Sequence, residues 1–234
     1  MRTRGLRTYH RIERVHYGAG SFGVIPDEAV RLGATRVLAL VSTTLRRNTD
    51  LVERLSALLG DRLAGIVDGI PAHTPRAAVI DVAAKARESG ADLILTLGGG
   101  SVMDCGQLVR LCLEQDVRRT EQLDDFRAVV RRDGTRHVPQ FRGPSTPQIA
   151  VATTLSAAEF NPILGCTDVD RGVKDLFTHP GLAAQVIILD PEVCRTTPQR
   201  LWLSSGIRAV DHCIEEFRRL ISRPEPQRSC PCPA

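Results

Sequence analysis

The stretch Asp92–Leu97 (DLILTL) followed by Gly98–Ser101 (GGGS) decides the fold of this chain. The apolar run predicts a buried strand, and an amphipathic helix follows the glycines as far as about Leu113. Backbone amides in a glycine-rich turn can approach a phosphate closely, and the start of the helix adds favourable partial charge. The alternative is a tight turn that requires positive φ. Three glycines and a serine at a strand-to-helix junction favour the anion site.

Short apolar runs and segments of helical periodicity alternate on both sides of this unit. Asp50 and Glu53 form a predicted capping box for one helix, and Thr74-Pro75 supplies an N-cap and a first-turn proline for the next. Such alternation predicts an α/β fold in which helices cover both faces of a parallel sheet. Further strands are predicted over Arg14–Tyr17, Arg36–Val41, Gly65–Asp68, Gln148–Thr153 and Gln185–Leu189, and helices over Asp50–Leu59, Thr74–Gly90 and Thr197–Ile221 with a break near Ser204–Gly206.

One segment interrupts this pattern. Glu114–Pro147 is polar and rich in arginine, so we interpret it as an inserted loop region. A nucleic-acid patch over Arg127–Arg142 is the alternative to a solvated loop. Few aromatic residues interleave the arginines and nearby aspartates dilute them, so the solvated loop is favoured and no nucleic-acid partner is expected.

Composition narrows the class of protein further. The 234 residues are 42% hydrophobic and 25% charged, which is typical of a globular protein and excludes collagen-like and coiled-coil chains. The net charge of +4 gives no argument for an anionic membrane surface, and no apolar run approaches the roughly 20 residues of a membrane span. The arginine-rich N-terminus lacks a following apolar segment, so we expect a cytoplasmic location. Seven scattered cysteines suit reduced, buried thiols.

Several motifs occur in a consistent order between about Val15 and Glu216. With them the chain resembles the iron-containing alcohol dehydrogenases and their maleylacetate reductase relatives, which share the dehydroquinate-synthase-like fold. The resemblance implies that the N-terminal half binds NAD or NADP and that the C-terminal half is helical. It also implies a cleft holding a divalent metal, iron or zinc, and an alcohol or ketone. The motifs are Gly98–Asp104 (GGGSVMD), Ala152–Glu159 (ATTLSAAE), Asp190-Pro191 and Gly206–Glu215 (GIRAVDHCIE).

The resemblance also implies a division of the chain. Residues 1–195 would form the α/β cofactor-binding domain, and residues 196–222 the first helices of a truncated helical domain. Residues 223–234 contain four prolines, at positions 224, 226, 231 and 233, and we expect this tail to be disordered.

Positions that match the family's motifs supply the candidate cofactor residues. Asp104 would face the nicotinamide side of the cleft, although from the residues alone a solvated first-turn carboxylate is the alternative. A neutral Ser42 near Arg46 and Arg47 would tolerate the 2′-phosphate of NADP, so NAD and NADP both stay open. Gln107 replaces a family lysine. The full predicted set is Ser42, Gly99, Gly100, Ser101, Asp104, Thr153, Thr154 and Lys174, in which ordinary strand threonines and a surface lysine are the alternatives for the last three.

The metal half of the family pattern is altered. Arg208 stands where the family has an aspartate ligand, and a guanidinium cannot ligate a cation. His212 is therefore the only surviving candidate metal ligand, and a complete metal site is not expected within this sequence. We interpret Arg208 as a clamp for a substrate carboxylate and His212 as a proton donor on the same helix face. A histidine lying in an interdomain groove is the alternative for His212.

The sequence therefore predicts an NAD(P)-dependent oxidoreductase that transfers a hydride between the nicotinamide and an alcohol or carbonyl carbon. Its small-molecule partner would be an alcohol, a ketone or a keto acid, and assembly into a homo-oligomer is left open. The alternative is a truncated, non-catalytic remnant that binds at most the cofactor.

Overall fold

A computed structural model describes residues 12–131 and 133–221 of the chain. Its centre is a six-stranded sheet whose paired strands are all parallel. The predicted Pro-rich tail lies outside the described residues. In chain order the strands are β1 (Arg14–Tyr17), β2 (Val37–Val41), β3 (Leu63–Val67), β4 (Leu93–Gly98), β5 (Arg127–Val130), β6 (Arg136–His137), β7 (Gln148–Ala152), β8 (Ile163–Asp168), β9 (Val173–Thr178) and β10 (Val186–Leu189).

The order of the central sheet is β1-β10-β7-β4-β2-β3, and its three middle strands carry the core. Every residue of β7, β4 and β2 is buried, as expected when helices cover both faces of a parallel sheet. The predicted α/β class and parallel sheet are confirmed. The helices are α1 (Ile25–Arg31), α2 (Thr43–Asn48), α3 (Leu51–Leu59), α4 (Arg76–Glu88), α5 (Gly100–Glu114), α6 (Pro191–Cys194) and α7 (Gln199–Ile221).

The predicted inserted loop region is partly wrong. It contains β5 and β6, which join β9 and β8 in a second sheet of four strands, all paired antiparallel. The sequence pattern does not predict the hairpin that β8 and β9 form. These strands are short, and half of the residues of β9 are exposed, so their hydrophobic alternation is too weak to distinguish them from loop.

Two arginines of the stretch Arg127–Arg142 form ion pairs. Arg127 lies 2.9 Å from Asp124, and Arg142 lies 2.8 Å from Glu114. These contacts offset the charge of the two side chains, and the absence of a nucleic-acid partner stays a prediction.

Local details at helix ends differ from the sequence prediction. Asp50 makes no capping hydrogen bond through its side chain, so the predicted capping box is absent. Thr74 is not the N-cap of α4; Pro75 holds that position, and the Thr74 hydroxyl donates instead to the carbonyl oxygen of Ser101. A tertiary contact thus overrides the local capping signal of Thr74.

The last helix, α7, differs most from expectation. It runs unbroken through Ser204–Gly206 for 23 residues, so the predicted break is wrong. From Ile207 to Arg218 every residue is exposed. The exposed apolar side chains recur every three or four residues at Leu203, Ile207, Val210, Ile214 and Phe217, which is the spacing of one helix face.

The cysteines that the structure describes are free thiols, and three of them are buried. Burial raises the pKa of Cys112 and of Cys166 to about 12, so these thiols stay protonated and unreactive. Cys213 is exposed, which corrects the expectation of buried thiols at that position. Cys230 and Cys232 lie outside the described residues.

Candidate functional site

The glycine turn lies at a switch point of the central sheet. From β2 the chain moves outward to β3, whereas from β4 it continues to β7 on the other side. The loops that leave β2 and β4 therefore diverge, and a crevice opens at the carboxyl ends of the two strands, where α/β proteins bind ligands. Ser42 follows β2 directly, and a Cβ on Gly98 would lie 3.3 Å from the Ser42 Cβ.

The three glycines of the turn are required by close packing and not by a backbone conformation with positive φ. None of Gly98, Gly99 and Gly100 has positive φ, so the tight-turn explanation does not apply. A Cβ on Gly99 would lie 3.0 Å from Thr154 Cγ2, and one on Gly100 would lie 3.3 Å from the Ser156 hydroxyl oxygen. Gly99 is the N-cap of α5 and has no side chain to satisfy the first N–H groups of the helix. The turn therefore leaves the first N–H groups of α5 without a side-chain acceptor, which is what an anion site requires.

A strained loop holds Ser101 beside this turn. His73 and Thr74 both have positive φ, at 63° and 51°, which is costly for a β-branched threonine. The backbone N–H of His73 donates to the Ser101 hydroxyl oxygen at 3.1 Å, and the Thr74 hydroxyl donates to the Ser101 carbonyl oxygen at 3.0 Å. These two bonds fix the position of Ser101. Its hydroxyl oxygen acts only as an acceptor in them, so the O–H group can still donate to a ligand.

Thr153 and Thr154 lie at the end of β7, and both are buried. The N–H of Thr153 donates to the Gly98 carbonyl oxygen at 3.0 Å, and the Thr154 hydroxyl donates to that of Ser156 at 3.2 Å. These bonds place both threonines against the glycine turn. The structure therefore brings together Ser42, the glycines, Ser101 and the two threonines.

Asp104 lies one turn into α5, facing the β8–β9 hairpin. Its carboxylate accepts a long bond of 3.4 Å from the Gly165 N–H, and Lys174 acts on it as a nearby positive charge. Burial nevertheless raises the pKa of Asp104 to about 6, against the opposing effect of Lys174. The solvated first-turn carboxylate is therefore wrong.

This raised pKa leads to a pH-dependent stability. A carboxyl whose pKa rises from 3.8 to about 6 on folding binds more protons in the folded state, so stability falls as pH rises through that window. The free energy of unfolding should decrease by about 2 kcal/mol between pH 4 and pH 7 from this group. In Asp104→Asn this decrease should disappear. Urea unfolding of both proteins at several pH values measures the difference, with exposed Asp61→Asn as control. Parallel pH profiles for wild type and Asp104→Asn would contradict it.

A pocket of about 680 Å³ opens next to this site, between the ends of β7 and β10 and the start of α7. Its volume is in the range of small-molecule sites. The pocket is also lined by Glu159, Arg195 and Trp202, none of which is among the predicted site residues. Glu159 belongs to the motif Ala152–Glu159. No local sequence signal marks Arg195 or Trp202, because they reach the pocket only when the fold brings α6 and α7 to the end of β7.

Arg208 and His212 are not brought into the pocket. Both are exposed on α7, one turn apart, and their proposed roles stay predictions. Within residues 12–131 and 133–221, no group of three or more His, Cys, Asp or Glu side chains is placed to hold a metal ion. His212 next to Arg208 is not a donor set that fits a divalent cation. The residues present therefore do not fit the metal that the resemblance implies.

The fold and the turn together define a dinucleotide-binding α/β domain. The sequence profile of the family described as iron-containing alcohol dehydrogenase matches residues 13–191, and the chain belongs to this family. Members of the family are oxidoreductases that use NAD(P) and a divalent metal. No helix among the described residues is long and apolar enough to cross a membrane.

Individual relatives agree with this assignment. The dehydrogenase FUM7 of Gibberella moniliformis is 36% identical over 203 residues, which are 86% of this chain and 48% of the relative. Maleylacetate reductase 2 of Cupriavidus pinatubonensis is 32% identical over 204 residues, 87% of this chain and 47% of the relative. The structure of an iron-containing alcohol dehydrogenase from Thermococcus thioreducens superposes with a TM-score of 0.73 at 25% identity, covering 85% of this chain and 50% of that one. The chain thus spans about half the length of these relatives.

Proposed function

We propose that this chain supplies the dinucleotide-binding half of an NAD(P)-dependent oxidoreductase acting on an alcohol or carbonyl compound. The glycine turn before α5 is the observation that carries the proposal. Gly99 is the N-cap of α5 and makes no side-chain capping bond, so the first N–H groups of the helix would be available to a diphosphate. Bound nicotinamide would supply or accept the hydride.

The protein's own residues would bind and orient the cofactor. The N–H groups of Gly100 and Ser101 would hold the diphosphate, with the Ser101 hydroxyl as a further donor. Thr153 and Thr154 would form the wall between the glycine turn and the pocket. Lys174 and Asp104 would lie on the nicotinamide side, where the attraction of the lysine favours the charged form of the carboxylate.

Ser42 at the end of β2 would lie beside the adenosine ribose. The nearby Arg46 is bonded to Asp68 at 3.2 Å. That pairing leaves Arg47 as the cation more readily available to a 2′-phosphate.

A carboxylate-bearing substrate is a narrower proposal within this function. Arg208 would act as the carboxylate clamp and His212 as the proton donor, and their spacing of one helical turn is compatible with joint action. Arg195, which lines the pocket, is a second cation for the same purpose. The keto acid, the ketone and the alcohol therefore all remain substrate classes to test.

Cofactor binding without turnover is the second candidate function. The exposure of Arg208 and His212 away from the pocket favours it, because proton transfer requires contact with the substrate. One preparation distinguishes the two functions when NADH and NADPH binding are titrated by fluorescence and ketone reduction is followed by loss of NAD(P)H absorbance. We expect saturable binding. Binding with turnover supports the oxidoreductase, binding alone supports the second candidate, and absence of binding contradicts both.

A further inference from the structure

The loop that fixes Ser101 is itself held from the second sheet. Thr167 lies on β8, and its hydroxyl donates to the carbonyl oxygen of His73 at 2.8 Å. Its backbone N–H donates to the carbonyl oxygen of Thr74 at 3.0 Å. One residue of β8 therefore bonds to both carbonyl groups of the loop, while the N–H of His73 and the hydroxyl of Thr74 bond to Ser101 on the other side.

The two residues that follow the loop are tied to the same hairpin. Pro75 forms a bridge with Thr167. Arg76, the first residue of α4, is buried, and its guanidinium lies 2.7 Å from the carboxylate of Asp175 on β9. Removing one partner of a buried ion pair is strongly destabilising. The chain is thus attached to the β8–β9 hairpin at each of positions 73–76.

These attachments account for the unusual backbone of the loop. His73 and Thr74 are consecutive non-glycine residues with positive φ, and such a conformation persists only where surrounding contacts hold it. The bonds from Thr167 supply such contacts. Without the hydroxyl of Thr167, the loop is free to relax toward ordinary backbone angles, which turns its donors away from Ser101.

We propose that Thr167 is a positioning residue for the cofactor: through the loop at His73 and Thr74 it holds the Ser101 hydroxyl where the diphosphate binds. Thr167 also pairs with Lys174 across the hairpin. One strand pair thereby connects the lysine proposed for the nicotinamide side with the glycine turn. The inference rests on the proposed function, because it takes this turn as the diphosphate site.

Fluorescence titration of the full chain with NADH tests the role of Thr167. Thr167→Val keeps the branched shape and removes the hydroxyl, and we expect its dissociation constant to rise about fivefold, the equivalent of one neutral hydrogen bond. Thr167→Ser keeps the hydroxyl and should bind NADH as the wild type does. Thr135→Val is the matched control, because Thr135 is exposed and its hydroxyl donates to the exposed Asp133 within the same turn. Its affinity should be unchanged.

A double-mutant cycle with Ser101→Ala separates positioning from a merely structural role. If Thr167 acts through the Ser101 hydroxyl, adding Thr167→Val to Ser101→Ala should raise the dissociation constant by less than twofold. A further fivefold loss in the Ser101→Ala background would overturn the inference. Wild-type affinity in a folded Thr167→Val protein would overturn it as well.

Thr74 provides the second test if Thr167→Val fails to fold. Thr74→Val removes the bond to the Ser101 carbonyl oxygen and should also weaken NADH binding about fivefold, whereas Thr74→Ser should restore it. Equal affinity of Thr74→Val and wild type would contradict the inference. Failure of the wild type to bind NADH would contradict the proposed function and the inference together, whereas wild-type binding that none of these variants changes would contradict the inference alone.

Discussion

Replacing Gly99 by valine is expected to weaken NADH binding about 100-fold, which corresponds to one or two charge-assisted hydrogen bonds lost. A Cβ at this position would lie 3.0 Å from Thr154 Cγ2 and 3.3 Å from its hydroxyl oxygen. The branched side chain must displace the turn or the threonine, and in either case the diphosphate loses its approach to the first N–H groups of α5. Fluorescence titration with NADH measures the change.

Gly23→Ala is the matched control for this prediction. A Cβ on Gly23 would have nothing within 4 Å, and the position lies away from the turn. Its NADH affinity should equal that of the wild type, and circular dichroism of both variants should show an intact fold. Unchanged affinity in a folded Gly99→Val protein would refute the placement of the diphosphate at this turn.

Replacing Arg110 by methionine is expected to lower the free energy of unfolding by about 3–5 kcal/mol, because buried acceptors would lose their charged donor. Arg110 lies on α5, is fully buried and bonds only to neutral acceptors in the described chain. Burial lowers its pKa to about 9, so the side chain is still charged at neutral pH. Its strongest bonds reach the carbonyl oxygens of Thr146 at 2.7 Å, Leu182 at 3.0 Å and Gly181 at 3.1 Å.

Urea unfolding of Arg110→Met against wild type measures this loss. Arg118→Met is the control, because Arg118 is 64% exposed and pairs with the exposed Asp116, and such surface pairs contribute about 0–1 kcal/mol. If Arg110→Met unfolds before it can be purified, Arg110→Lys provides the measurement, since it keeps the charge but loses the planar fork of donors that reaches several carbonyl oxygens. Equal stability of Arg110→Met and Arg118→Met would show that the buried guanidinium does not hold these segments together.

The central sheet is readily predicted because its signal is local. Buried parallel strands such as β4 and β7 are continuous apolar runs, and the glycines after β4 mark where the helix begins. The β8–β9 hairpin lacks such a signal, since half of the residues of β9 are exposed and its second partner strand, β5, lies in the interrupted segment. The predicted N-cap at Thr74 is also wrong, because the Thr74 hydroxyl donates to the carbonyl oxygen of Ser101, 27 residues further along the chain.

The candidate site is predictable in part. Ser42, Gly99, Ser101 and Thr154 come from loops at the carboxyl ends of neighbouring strands, so the strand order alone brings them together. Asp104 is apparent from the sequence motif, but its raised pKa depends on the burial that the second sheet provides. The roles of Lys174, Arg208 and His212 stay predictions.

The sequence by itself determined the family and the position of the glycine turn, because both depend on residues that are contiguous or in fixed order. Only the tertiary structure decided that the glycines are required for close packing, that Arg110 ties distant loops together and that Glu159 lines a largely apolar pocket. Each of these depends on which side chains meet across the fold, and a local pattern of residue types does not specify the desolvation that results.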